Sequence, residues 1–466
     1  MTGVDAVLLP GFRGTELPAW VADRLRGGLA GVCLYGENVV SGPQLRDLVA
    51  QIRAVKPDAL VAIDEEGGDV TRVHYATGSP YPGAALLGRL DDVAETSVVA
   101  RAVADVLGWI GADLNLAPVA DVNSDPRNPV IGVRSFGAEP GLVARHVAAF
   151  TRAHEGAGVA TSVKHFPGHG ATSADSHLAL PVVDAALDVL RERDLPPFRA
   201  AIDAGARTVM TSHILLPQVD PENPATFSPR ILGGLLRDEL GFDGVIVSDA
   251  LDMAGASGEI GIPAAAARAL AAGCDLLCLG TGGSPEQLDA IADAVRAGVT
   301  EGRLADAASR VAALVASLRG GPATPVSGPD GPGADRLAEA FQVAEGARPA
   351  PDAALVVVET TANIAVGHAP WGPPADLAGV TVHRVVAGEP LPADLGPEQP
   401  VILVAKDVHR HPSVAALADV VRASRPGSLV VDMGWPSGPV DVATFGASAG
   451  VGLALLHWLR ERGWRG

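Results

Sequence analysis

Short apolar runs, each closed by polar residues, recur along the first two thirds of the chain. AVLLPG from Ala6, GVCLYG from Gly31, ALVAID from Ala59 and ADLNLAPV from Ala112 are the first four. VATSVKHF from Val159, TVMTSH from Thr208, VIVSDALDM from Val245 and DLLCLG from Asp275 follow. Their hydrophobicity is continuous rather than alternating, which predicts strands buried on both faces of a parallel sheet. The stretches between them are rich in alanine and arginine at helical spacing, as in 142–155 and 235–240. Eight strand–helix units in roughly 300 residues have the count and length of a (β/α)8 barrel. A doubly wound sheet would carry a phosphate-binding glycine turn after its first strand, and PGFRGTELP supplies none.

Polar residues fall at the strand ends: Asp64-Glu65-Glu66, Asp121, Lys164-His165, His213 and Asp249. In a barrel all strand C-termini open on one face, where active sites are built, so scattered positions converge on one mouth. GGPATPVSGPDGPG, beginning at Gly320, reads as a Pro/Gly-rich linker. Beyond it the pattern predicts a helix near 334–345, strands in ALVVVET, PVILVAKD and SLVVDMG, and a closing helix over 449–462. The expected fold class is therefore α/β, a (β/α)8 TIM-like barrel followed by a smaller α/β C-terminal domain. The expected division is 1–319 catalytic barrel, 320–334 linker and 335–466 small domain of unknown role.

Composition narrows the partners. A formal net charge of −19 over 466 residues argues against nucleic acid or anionic membranes, whose phosphates would be repelled. Three cysteines, Cys33, Cys274 and Cys278, lie in apolar runs and read as buried small hydrophobes, not a disulfide framework. MTGVDAVLLPGFRG lacks the charged and apolar regions of a signal peptide, and no run approaches eighteen apolar residues. A soluble cytoplasmic chain is expected, with oligomeric state unspecified. Only three lysines occur (Lys56, Lys164, Lys406), so one inside a polar motif stands out.

That motif is KHFPGHGATSADSH, from Lys164 to His177. His165 and His169 have an HxxxH spacing, but Phe166-Pro167-Gly168 forbids the helix that would put both on one face, and no HExxH or CxxC accompanies them. No metal and no cofactor are expected, and His169 reads as a loop-holding residue. Asp175-Ser176-His177 is contiguous and cannot form a triad's line. Gly446-Ala-Ser448-Ala-Gly450 matches GxSxG without the downstream acid and histidine that an elbow needs, so it reads as a helix start with small residues. Proton transfer with a separate carboxylate remains. Asp249 alone would be a helix N-cap and His177 alone a loop histidine. Together on one barrel face they suit two-step displacement, with Asp175 orienting the imidazole.

KHFPGHGATSADSH followed by LALP, together with VSDALDM, resembles glycoside hydrolase family 3, in its β-N-acetylhexosaminidase branch of the peptidoglycan-recycling type. GVCLYGENV, AIDEEGGDVTRV, LNLAPVADVNSDPRNPVIGVRSFG and VMTSHILLP fall in the expected order across almost the whole barrel. The resemblance implies a retaining exo-β-N-acetylglucosaminidase. Asp249 takes the place of the nucleophile, His177 of the acid/base and Asp175 of its dyad partner. Asp64, Arg72, Arg134, Lys164 and His165 match the positions that hold N-acetylglucosamine, where carboxylate, guanidinium and ammonium groups suit sugar hydroxyls. Glu65, Asp69 and Ala171 depart from the family pattern and bear on the leaving-group side. No catalytic residue is expected beyond Gly320, although the β-glucosidase branch takes its acid/base glutamate from there. The alternatives are phosphorolysis through the same intermediate and a non-catalytic sugar-binding barrel.

Overall fold

The computed structural model describes residues 3–172, 180–318, 331–360, 365–375, 377 and 379–466. All eight expected barrel strands form: β1 (Leu8–Pro10), β2 (Gly31–Leu34), β3 (Leu60–Ile63), β4 (Leu114–Asn115), β5 (Ala160–Phe166), β6 (Thr208–Thr211), β7 (Val245–Val247) and β8 (Leu277–Leu279). β2 to β7 pair in sequence order, every neighbour parallel, and β8 pairs in parallel with β1. A single parallel bridge, Val247 to Leu276, joins β7 to β8. The ring is thinnest between β1 and β2, where Ala30 N–H donates to Asp5 C=O at 2.9 Å.

Every residue of these strands is buried. Leu60 and Ala62 face the barrel interior with Cys33, Leu114, Met210, Val247 and Cys278. Val61 and Ile63 face the surrounding helices. Two buried faces are why the strands read as continuous apolar runs rather than alternating ones. The helices begin where short polar side chains cap them: Asp92 accepts from Ala94 N–H at 2.9 Å, and Ser284, followed by Pro285, accepts from Gln287 N–H at 3.3 Å. The segment expected as helical over 235–240 is part of a longer, wider helix, Arg230–Glu239, with i→i+5 hydrogen bonding.

After residue 330 a second sheet forms in the order β11-β10-β12-β13-β14-β9. The runs expected as strands are β10 (Ala354–Glu359), β12 (Val401–Ala405) and β13 (Leu429–Asp432). Three more went unread: β9 (Gln342–Val343), β11 (Val382–Val386) and β14 (Val442–Ala443). Two of these are only two residues long, and β11 is an edge strand with most side chains exposed or half-buried. The helix expected over 334–345 stops at Glu339, after which the chain turns into β9. Helix Ala449–Glu461 covers one face of the sheet through Leu455 and Trp458, and Pro412–Ser424 covers the other through Val414 and Val421. Most of the expected 320–334 linker, residues 320–330, lies outside the described residues, as does residue 319.

The two parts are packed together. Leu86, from helix Ala84–Leu90 after β3, is buried in the same cluster as Leu337 and Trp458. Gly450 donates to Ser79 C=O at 3.1 Å, and a Cβ at Gly450 would lie 2.1 Å from Pro80 C=O. The small residues around Ser448 therefore serve close packing, and Ser448 caps the helix by accepting from Val451 N–H at 3.3 Å. Among the described residues no helix is long and apolar enough to cross a membrane.

Candidate active site

The C-terminal ends of the barrel strands enclose a cavity of about 280 Å³. Asp64, Arg72, Arg134, Lys164, His165 and Asp249 all line it, so the fold brings six of the eight expected site residues together. Asp175 and His177 lie outside the described residues, between Thr172, buried beside His169, and Leu180.

Lys164, buried on β5, is the hinge of a charge cluster. Its Nζ donates to Asp64 Oδ1 at 2.7 Å and lies 2.8 Å from Glu66 Oε1. Arg134 grips Glu66 with two parallel bonds, Nε to Oε2 at 3.0 Å and Nη2 to Oε1 at 2.7 Å. Burial alone would raise the Glu66 pKa, but Arg134 and Lys164 outweigh it and hold the carboxyl well below its usual range. Burial likewise works against the Lys164 ammonium, yet Asp64 and Glu66 raise its pKa. Both groups are thus fixed as ions, which orients the Asp64 carboxylate at the cavity wall. Glu66 was legible only as one of three acids ending β3; its bidentate partner lies 68 residues away.

Asp121, fully buried after β4, fastens the exit of β5. Its carboxylate pairs with His165 Nδ1 at 2.7 Å and accepts from His169 N–H at 2.6 Å. Burial opposes its charge, but His165 and His169 lower its pKa. Burial pushes His169 down to about 4, with Asp121 opposing, so this imidazole is neutral at neutral pH. His169 also contacts Thr172 Oγ1 at 2.8 Å through Nδ1, and its C=O accepts from Asn128 at 2.8 Å. The loop-holding role expected of His169 is what its contacts describe. Gly170 belongs to the same construction, since a Cβ there would sit 1.9 Å from Val122 C=O. Among the described residues no cluster of His, Cys, Asp or Glu could hold a metal.

Asp249 follows β7 and is half-buried. Its Oδ1 accepts from Ala250 N–H at 2.8 Å, and its own N–H donates to Thr211 Oγ1 at 3.4 Å. The next helix, Ala254–Ser257, begins beyond Met253, so Asp249 does not cap it. His213, at the end of β6, braces this turn through Nε2 to Ala250 C=O at 3.1 Å. Tyr35 and Cys278 close the floor, with Tyr35 Oη donating to Leu279 C=O at 3.1 Å. Burial raises the Tyr35 pKa well above its usual value, so the phenol keeps its proton.

The departures from the family pattern have structural outcomes. Glu65 turns away from the cavity and accepts from Arg72 N–H at 2.8 Å and Val73 N–H at 2.9 Å, holding the loop after β3. Burial pushes its pKa up to about 7. Asp69 reaches the C-terminal part, accepting from Ala447 N–H at 2.7 Å and pairing with Lys406 at 3.3 Å. Arg72 does the same in reverse. Its guanidinium lies 3.8 Å from Asp64 and donates to Ala365 C=O at 2.7 Å and Val366 C=O at 3.3 Å. Backbone from beyond residue 320 thus lines the cavity through Ala365. Nothing local in the sequence marked that contribution.

Residues 14–314 match the family model for the glycosyl hydrolase family 3 N-terminal domain. A β-hexosaminidase of Stenotrophomonas maltophilia is 41% identical over 302 residues, covering 62% of this chain and 87% of that protein. One of Pseudomonas aeruginosa is 40% identical over 256 residues, covering 53% and 74%. The solved family 3 β-N-acetylglucosaminidase of a Paenibacillus strain superposes with a TM-score of 0.84 at 28% identity, over 98% of this chain and 96% of that one. NagZ from Neisseria gonorrhoeae in complex with N-trifluoroacetyl-D-glucosamine is 33% identical, with a TM-score of 0.56, over 66% of this chain and 97% of that one.

Proposed function

The chain belongs to glycoside hydrolase family 3, and from that premise we propose that it is a retaining exo-β-N-acetylglucosaminidase releasing terminal β-linked N-acetylglucosamine from peptidoglycan fragments. The observation that carries this reading is one shared cavity. Asp249 borders the same 280 Å³ space as the Asp64–Lys164–Glu66–Arg134 cluster, at the strand ends of one barrel. The β-hexosaminidase and β-N-acetylglucosaminidase relatives support it. A cytoplasmic location goes with that substrate, and cell fractionation checks it.

In this mechanism Asp64, Lys164, Arg134, Arg72 and His165 hold the sugar, their donors and acceptors fixed before substrate arrives. The Asp249 carboxylate forms a bond to the anomeric carbon as the glycosidic bond breaks. The His177 imidazolium gives its proton to the departing oxygen. The neutral imidazole then takes a proton from water, whose oxygen displaces Asp249. Asp175 orients the ring and stabilises its charged form.

The test compares an aryl β-N-acetylglucosaminide with wild type and with Asp249→Ala. Turnover is expected to fall by at least about three orders of magnitude, as it does when a covalent nucleophile is removed. Equal rates overturn the assignment. NMR of the first-formed sugar is expected to show the β anomer, and the α anomer would refute retention.

A further inference from the structure

Tyr75 stands one turn after Arg72 in the loop that follows β3, and its N–H donates to Arg72 C=O at 3.2 Å. The two side chains reach the same short segment of the C-terminal part. Arg72 donates to the carbonyls of Ala365 and Val366, and Tyr75 Oη accepts from His368 N–H at 3.1 Å. Gly367 lies between those contacts with φ +72°, and a Cβ there would sit 3.0 Å from Tyr75 Oη. Glycine suits both the left-handed backbone and the close approach. The barrel closes on the other side of the ring, since a Cβ at Gly36, after β2, would lie 2.6 Å from Tyr75 Cε2. The ring is thus wedged between two glycines, with its hydroxyl aimed at one backbone N–H.

Arg72 is held from several directions. Glu65 accepts from its backbone N–H, the two carbonyls accept from Nη1 and Nη2, and Asp64 lies 3.8 Å from Nη2. Its Nε–H is buried and has no partner among the described residues. A buried donor left unpaired is costly, so this one marks where an acceptor on a ligand belongs. Ala365 and Val366 lie outside every helix and strand. Their carbonyls keep a direction only as far as the segment itself is anchored, and His368 N–H on Tyr75 supplies an anchor.

The geometry points to Tyr75 as a positioning residue for sugar binding: it anchors Gly367-His368 so that the Ala365 and Val366 carbonyls aim the Arg72 guanidinium. Tyr75 does not line the cavity, whereas Arg72 does, so Tyr75 acts through Arg72 and not on the sugar. The inference rests on the function proposed above and assigns part of its sugar affinity to a residue outside every motif read in the sequence.

A double-mutant cycle with an aryl β-N-acetylglucosaminide tests it. Tyr75→Phe keeps the ring and deletes the hydroxyl, and kcat/KM is expected to fall about fivefold, the worth of one uncharged hydrogen bond. The loss should lie in KM with kcat nearly unchanged, because Arg72 holds the sugar before and during reaction alike. Gly367→Ala, which crowds Tyr75 Oη, is expected to act in the same way. In an Arg72→Ala background neither substitution should cost anything further. A Tyr75 that merely supported the fold would cost as much there as in the wild type. That persistent loss, or a wild-type KM in Tyr75→Phe, overturns the proposal. If the wild type does not turn the glycoside over, the proposed activity fails, and calorimetry with N-acetylglucosamine runs the same cycle on binding alone. Affinity lost in Tyr75→Phe only while Arg72 is present supports the inference; additive losses, or no binding by the wild type, overturn it.

Discussion

Replacing Lys164 by methionine keeps length and apolar volume while deleting one charge from the buried cluster. In the wild type two carboxylates, Asp64 and Glu66, face Lys164 and Arg134, with Arg72 more distant at 3.8 Å from Asp64. Contacts of 2.7 and 2.8 Å are each worth about 6 kcal/mol of attraction at an effective dielectric of about 20. Desolvation of the ammonium and repulsion from Arg134 offset most of that sum. The variant leaves an uncompensated buried negative charge, for which about 3–5 kcal/mol of lost stability is expected. The sign with pH follows from Glu66. Its folded pKa is depressed, so the cluster stabilises above the ordinary carboxylate value of 4.5 and loses this as pH falls through the folded value. The variant's deficit is therefore full at pH 7 and shrinks near pH 4, where its carboxylates take up protons. Urea unfolding followed by tryptophan fluorescence at both pH values measures it. A deficit below about 1 kcal/mol at pH 7, the range of an exposed pair, or one equally large at pH 4, would refute the reasoning.

Two further outcomes are expected. Glu65, an acid whose folded pKa is raised from 4.5 to about 7, stabilises most below its ordinary value. That contribution fades as pH rises through this window, by up to about 3 kcal/mol. Glu65→Gln should lack the decline between pH 5 and pH 8 in guanidinium melts, and parallel pH dependence in the two proteins argues against a buried, proton-holding Glu65. Gly170→Ala places a methyl group 1.9 Å from Val122 C=O and must displace the loop running towards Asp175 and His177. Aryl-glycoside kcat/KM is expected to drop about tenfold or more, on the scale that misplacing a catalytic group by an ångström costs, with the near-ultraviolet circular dichroism retained. A wild-type rate would show that the loop tolerates the methyl group.

The barrel was legible because its strands are buried on both sides, which leaves a one-dimensional trace: unbroken runs such as LVAI and ATSVKHF, then charge. What each charge does was less legible. Asp64, Glu65 and Glu66 are consecutive, yet Asp64 and Glu66 line the cavity while Glu65 turns back to hold backbone. The path of a loop decides that, and no period encodes it. Arg72 read as a sugar-holding position and Asp69 as a departure on the leaving-group side, but their partners lie 293 and 337 residues away, in the C-terminal part. β11 escaped notice because an edge strand needs no continuous apolar run, and two-residue strands such as β9 and β14 carry no pattern at all.

The tether between Arg72 and the carbonyls of Ala365 and Val366 makes the barrel a poor candidate for excision. Cutting the chain near residue 319 would strip a rim guanidinium of two acceptors, deprive the Asp69 carboxylate of Ala447 N–H and Lys406, and bare Leu86 to water. A relative built from a barrel alone has no C-terminal part to supply those partners. Grafting this barrel's loops onto such a relative would therefore import polar groups whose partners had been left behind.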